Sequence, residues 1–213
     1  MASRSLPLVI AVDGPAASGK GTIAKALARH YGLPHMDTGL LYRAVALSLF
    51  RFGGDAASEF EAVRAVDGLA QIDMSDGELR SEIVGSLASR ISAYAGVRAA
   101  LLERQRQFAA QADGAVLDGR DIGTVIAPNA TVKLFVTASP EVRAERRLKE
   151  LQTRGMPAHY DDVLLDIRAR DARDSGRDSA PLVKADDADL LDTSELGIED
   201  AIGRAIDLVE ARL

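Results

Sequence analysis

Cysteine is absent from the 213 residues. That excludes disulfides, thiolate-held zinc or iron–sulfur centres and any cysteine nucleophile, and it fits a reducing compartment. No excess of positive charge is present either: 26 Lys+Arg stand against 32 Asp+Glu, a formal charge of −6. An acidic total argues against general nucleic-acid binding, where a basic surface is expected. It leaves room for a small anionic ligand held by local arginines. The longest early apolar run, Leu6–Val12, falls far short of the roughly 20 residues that span a bilayer. It leads into Asp13-Gly14-Pro15 with no small-residue cleavage pattern and is not read as a signal peptide. His30, His35 and His159 lack metal-ligand spacing and a triad arrangement. Repeats and low-complexity tracts are missing. What is present is 47% hydrophobic and 27% charged residues, the balance of a folded chain with one large core or a core carrying small lobes. The expectation is a soluble, cytoplasmic, monomeric protein without nucleic-acid or membrane partners.

Short apolar runs alternate with helical stretches. Strands are expected at Leu8–Gly14, Ala115–Gly119, Val132–Ala138 and Ala188–Asp192, and helices at Gly19–Tyr31, Pro140–Leu151, Asp161–Ala172 and Ile198–Leu213. Such alternation predicts βαβ units and a parallel sheet covered by helices on both faces. Phe52–Ser92 reads as helix-like and polar, with one strand candidate at Gln71–Ser75. Thr153–Asp161, with Gly155 and Pro157 between charged helices, reads as a hinged segment able to close over a site.

Gly14-Pro15-Ala16-Ala17-Ser18-Gly19-Lys20-Gly21-Thr22 follows an expected strand and opens an expected helix, the context that makes G-x-x-x-x-G-K a phosphate loop. Its glycines let backbone N–H groups converge on phosphate, the helix N-terminus adds positive potential, and Lys20 reaches the β- and γ-phosphates of ATP. The residue after the lysine, usually a magnesium-binding hydroxyl, is Gly21; the hydroxyl comes one later, at Thr22. Mg²⁺ is therefore expected to be held largely through water and phosphates. A GTPase is discounted because Val183-Lys184-Ala185-Asp186 lacks the amide side chain that reads guanine.

Phosphoryl transfer is catalysed mainly by positioning and charge stabilisation, and cations are available at Lys20, Arg43, Arg98, Arg120, Arg170, Arg173 and Arg177. Arg170, Arg173 and Arg177 would share a helix face if the helix continues; the interleaved Asp171, Asp174 and Asp178 equally suit a solvated helix. Arg143, Arg146 and Arg147, with Glu141, Glu145 and Glu150, read first as i,i+4 pairs on an exposed helix. Asp118 follows a strand, where such folds place ligands, and is a candidate for orienting magnesium-bound water or, equally, a turn carboxylate.

Gly19-Lys20-Gly21-Thr22, followed by Asp37-Thr38-Gly39 and Tyr42-Arg43, resembles the nucleoside-monophosphate kinases. Leu117–Pro128 (LDGRDIGTVIAP), Arg168–Leu182 (RARDARDSGRDSAPL) and Val97–Phe108 (VRAALLERQRQF) are similar to the bacterial cytidylate kinase family, and the matching blocks run from residue 8 to about residue 193. The resemblance implies transfer of the ATP γ-phosphate to CMP or dCMP with Mg²⁺, on a P-loop α/β fold with a parallel sheet, a monophosphate-binding lobe and a lid. It implies a core of residues 1–37, 101–140 and 179–213, a monophosphate lobe over 38–100 whose β insert reads as shortened, and a lid and closing arm over 141–178. It places Asp37, Thr38, Tyr42 and Arg43 in the monophosphate site, and Ser89, Arg98 and Asp121 around cytosine. Arg120 falls near the acceptor phosphate, Arg170, Asp174 and Arg177 on the closing arm, and Arg143 or Arg147 against ATP. Lys20, Arg120, Arg170 and Arg177 are then the catalytic candidates. Cytosine presents an N4 amino donor, which the Asp121 carboxylate can accept where uracil would repel it, and Arg98 can donate to N3 and O2. The alternatives are a P-loop kinase of another small acceptor (UMP, shikimate or dephospho-coenzyme A) and a regulator that binds ATP without transferring phosphate.

Overall fold

A computed structural model describes residues 7–213. Five strands, β1 (Val9–Asp13), β2 (His35–Asp37), β3 (Ala115–Gly119), β4 (Val132–Thr137) and β5 (Asp189–Asp192), form one sheet in the order β2-β3-β1-β4-β5. Every pairing is parallel, with Val12 opposite both Asp118 and Leu134. Strand alternation sends Ile10 and Val12 to one face of β1 and Ala11 to the other. The first face packs with Val116, Leu134, Val136 and Leu191 against Ile23 and Leu27 of α1 (Lys20–Tyr31) and Ala205 and Val209 of α8 (Ile198–Glu210). On the opposite face Ala11 and Leu117 meet Ile122, Ile126 and Ala109, the last from α5 (Ala95–Ala109). Since β2 and β4 both follow β1 in the chain but lie on opposite sides of it, the loop after β1 opens at a topological switch point, where α/β sheets bind ligands.

A second cluster joins α2 (Thr38–Arg51), α3 (Glu59–Arg64), α4 (Glu82–Ile91) and the start of α5 around fully buried Val45, Leu47, Leu79 and Ile91. A third, smaller one joins α6 (Pro140–Thr153) to α7 (Tyr160–Gly176) through Ala144, Leu151, Val163 and Ile167. Residues 154–159 link these two helices, with Gly155 at φ 71°.

Two elements differ from the sequence expectation. The strand expected at Gln71–Ser75 does not form: 3-10 turns at Ala65–Gln71 and Gly77–Arg80 flank an irregular segment. There Asp73 accepts the Ser75 N–H at 2.8 Å and Asp76 that of Glu78 at 2.9 Å. Short polar side chains that satisfy the local backbone in this way compete with a sheet ladder. The unforeseen β2 exists because His35–Asp37 pair with Val116–Asp118 of β3.

Candidate active site

Between β1 and α1, residues 14–19 form a loop that only some residues can build. A Cβ on Gly14 would sit 1.9 Å from the Val136 carbonyl oxygen, so β1 and β4 close around a bare backbone there. Gly19 (φ 90°) turns the loop into α1, and Ala17 holds φ 59°, a left-handed conformation costing about 1–2 kcal/mol for a non-glycine residue. Gly14, Pro15 and Ser18 are buried, and Ser18 Oγ has no hydrogen-bond partner among the described residues. Ala16, Ala17, Gly19, Lys20, Gly21 and Thr22 line an open cleft with Asp37, Arg43, Asp118, Arg120 and Arg170. Lys20 Nζ donates to the Pro15 carbonyl at 3.1 Å. Burial first, and Arg120 next, push its pKa down to about 8, against the pull of Asp118, Asp37 and Asp174.

The C-terminal ends of β2 and β3 face this loop. Asp37 caps α2 by accepting the Leu40 N–H at 3.0 Å, and Thr38 Oγ1 donates to the Asp118 carbonyl at 2.8 Å. Asp118 is buried, with Oδ1 2.7 Å from His35 Nε2, and Oδ2 faces Gly21, where a Cβ would lie 3.6 Å away. His35, which sequence spacing left without a role, is thus the partner of the candidate metal-orienting carboxylate.

Beyond β3 a second cavity is lined by Thr38, Tyr42, Arg43, Ser89, Arg98, Arg120, Asp121, Arg170, Asp174 and Arg177. Arg98 and Asp121, 8% and 4% exposed, form an ion pair through Nη2 and Oδ2. The Arg98 guanidinium lies 5.8 Å over the Tyr42 ring. Arg177 donates from Nε to the Ala180 carbonyl at 2.6 Å, while its buried Nη2 stands 3.8 Å from Asp121 Oδ1. Burial, then Arg98, lowers its pKa. Arg120 Nε donates to Asp174 at 2.7 Å; burial opposes both charges, but the pairing wins, raising the arginine and lowering the aspartate. Arg43 donates to the Leu79 carbonyl at 2.8 Å and passes so close to α4 that a Cβ on Gly85 would meet its Nη2 at 2.8 Å. Burial and then Arg170 and Arg147 bring Arg43 down to about 10. Ser89 accepts from Arg173 Nε at 3.3 Å.

The arginine-rich arm departs from the shared-face expectation. Helix α7 ends at Gly176, so Arg177 lies beyond it in an extended conformation. Asp174, rather than Arg173, lines the cavity with Arg170. Asp171 is no solvated carboxylate: it takes a bidentate pair from buried Arg143 at 2.9 and 2.6 Å, and Arg143 also donates to Ala16 in the loop at 3.2 Å. The exposed i,i+4 reading of α6 fails likewise. Arg146 donates to Thr193 Oγ1 and carbonyl at 2.9 and 2.6 Å, and Arg147 pairs with Glu82 across the cleft as well as with Glu150. Arg146, Arg147, Thr193, Gly197 and Ile198 line a third cavity with Ala17, Ser18, Gly19 and Thr22. Of its lining arginines the resemblance points only to Arg147; Arg146 and Thr193 give no signal in the sequence, although Thr193 directly follows β5 at the ligand-bearing end of the sheet.

Residues 10–211 match the family description "Cytidylate kinase". The chain belongs to the cytidylate kinase family. Among curated relatives, the cytidylate kinase of Xanthobacter autotrophicus is 60% identical over 207 residues, covering 96% of this chain and 98% of that protein. That of Azorhizobium caulinodans is 58% identical over 205 residues, covering 95% and 98%. An uncharacterized protein from Eubacterium ventriosum shares the fold at a TM-score of 0.58 and 16% identity, covering 96% of this chain and 98% of that one. The parallel sheet, phosphate loop and flanking helices of this cytidylate kinase family member form a P-loop kinase fold.

Proposed function

We propose that this chain transfers the γ-phosphate of ATP to CMP or dCMP, giving ADP and CDP or dCDP. The observation that carries the reading is the buried Arg98–Asp121 pair, in a cavity that shares Arg43, Arg120 and Arg170 with the cleft of Lys20. It offers one acceptor and several donors, the complement of a cytosine edge. Arg43, Arg120 and Arg170 lie between it and the loop, where two phosphate chains would meet.

On this reading the loop amides of residues 16–22 and Lys20 hold the ATP phosphates, and the cavity beside Thr193 and Ile198 takes the adenine. Thr38, Tyr42 and Arg43 hold the acceptor phosphate and sugar. Arg120, Arg170 and Arg177 face the charge that spreads over the moving group, and they stabilise it without reorganising because the fold already holds them. No general base is needed, since the attacking phosphate oxygen is already ionised. Among the described residues no three His, Asp or Glu side chains converge into a metal site. Mg²⁺ would be held by phosphates and water, with Asp118, its rotamer fixed by His35, beside it and Thr22 on a phosphate; when bound it neutralises developing phosphate charge. Residues 38–100 serve as the acceptor lobe, and 141–178 as the lid and closing arm that exclude water. The described helices include none long and apolar enough to cross a membrane, and the reading is of a cytoplasmic monomer.

ADP release with ATP–Mg²⁺, compared across CMP, dCMP, UMP, shikimate, dephospho-coenzyme A and no acceptor, tests it. Turnover is expected with CMP and dCMP. Turnover confined to another acceptor moves the chain to a different substrate class, and ATP binding with no turnover on any acceptor makes it a regulator.

A further inference from the structure

Asp13 is the last residue of β1, directly before Gly14 of the phosphate loop, and is 5% exposed. Its two oxygens accept different backbone donors: Oδ1 the N–H of Ile122 at 2.8 Å, and Oδ2 that of Gly123 at 2.7 Å. Those are the first two N–H groups of the π-helical turn Ile122–Ile126, which has no intrahelical partner for them. The residue placed to cap that turn is Asp121, and aspartate is among the preferred residues there. Yet Asp121 makes no capping hydrogen bond. Its carboxylate points into the cavity and pairs with Arg98 instead.

We propose that Asp13 is a positioning residue: by capping the 122–126 turn from a neighbouring strand, it frees the Asp121 carboxylate from local capping and holds it toward the acceptor base. It also ties the donor-phosphate loop to the segment carrying Arg120 and Asp121, so the two substrate sites share one fixed spacing. The charged groups around Asp13 are Lys20 and Asp121, with the Lys133 stem beside Gly123. Lys133 itself is committed to Asp187 at 2.7 Å, so among the described residues no cation neutralises Asp13 by direct contact. Burial holds its pKa up at about 6. A carboxylate kept in so unfavourable a place is consistent with a task that a neutral residue does less well.

The inference rests on the CMP kinase reading for its kinetic test and on no activity for its second. Asp13→Asn offers one acceptor and one donor where two acceptors are needed, so the turn recruits Asp121. The expected result is a CMP:UMP preference in kcat/KM at least tenfold below wild type, with the KM for ATP within twofold. Adding Asp13→Asn to Asp121→Asn should change the preference no further, because both act through the same carboxylate. An unchanged preference in the single variant, or effects that multiply in the double, overturns the proposal. Amide exchange read by mass spectrometry on the ligand-free protein needs no turnover. Asp13→Asn and Asp13→Ser should accelerate exchange across residues 120–126 while the rest of the chain stays near wild type. Acceleration throughout the chain would make Asp13 a core residue only. If wild type fails to phosphorylate CMP while the local exchange change holds, the kinase reading fails and the positioning role stands.

Discussion

Replacing Asp121 with asparagine removes one negative charge and almost no volume. In the folded chain that charge faces Arg98 in direct contact and Arg177 at 3.8 Å, and both arginines are buried. Breaking a buried pair from one side costs about 3–5 kcal/mol. Asparagine keeps an oxygen for Arg98, so the lower end, about 3 kcal/mol, is appropriate, which for a domain of this size lowers the melting midpoint by about 6–12 °C. Recognition changes separately. A hydrogen bond from the cytosine amine to a carboxylate is worth about 1.5–3 kcal/mol, or about 10- to 150-fold in kcat/KM. The asparagine amide can instead donate to the uracil carbonyl. Asp121→Asn should therefore collapse the CMP:UMP ratio, measured by coupled ADP release below the lowered midpoint. A ratio that survives while the protein loses stability would mean Asp121 is only a counter-ion, and the base-reading scheme would be wrong.

Lys20 should couple ATP binding to protons. With its pKa lowered to about 8, the folded chain holds fewer protons than the unfolded chain between about 8 and the usual lysine value. Its stability therefore gains with pH across that window, while ATP phosphates restore the ammonium. Calorimetry at pH 8.5 in two buffers of different ionisation enthalpy should show proton uptake on ATP binding, and the KM for ATP should rise above pH 8; no uptake contradicts the low pKa. Gly14→Ala drives a methyl group to 1.9 Å from the Val136 carbonyl and should abolish soluble expression or ATP binding. Gly203→Ala on α8, which meets nothing within 4 Å, should stabilise by about 0.5–1 kcal/mol; chemical denaturation distinguishes the two. Residues 150–165 should be cleaved more slowly by protease with ATP and CMP together than without them, and equal cleavage would argue against a closing lid.

The phosphate loop and the Leu117–Pro128 block were legible because their chemistry is local. Gly14, Gly19 and Lys20 act within one strand–turn–helix, and Asp121 stands two residues past the end of β3. What the sequence hid depends on neighbours distant along the chain. The three residues of β2 have little strand character and exist through β3. Gln71–Ser75 alternates like a strand but has no partner, so Asp73 and Asp76 bend it into turns. Arg143 and Arg146 sit among glutamates as any exposed helix residue does. Only their contacts with Ala16, Asp171 and Thr193 show that α6 is pinned to the loop and the arm. His35 carries no local signal for the same reason, its partner Asp118 being 83 positions away.

Two arginines placed here to face phosphate already lean on carboxylates of the chain: Arg120 on Asp174, and Arg170 on Asp166. On the proposed kinase reading an arriving phosphate would trade places with a carboxylate, and a departing one would be replaced by it. Bare cations gathered in one cleft would grip a nucleoside diphosphate as firmly as its precursor and slow its exit. With resident counter-ions at the same guanidinium groups, product would leave into a cleft that stays electrically balanced.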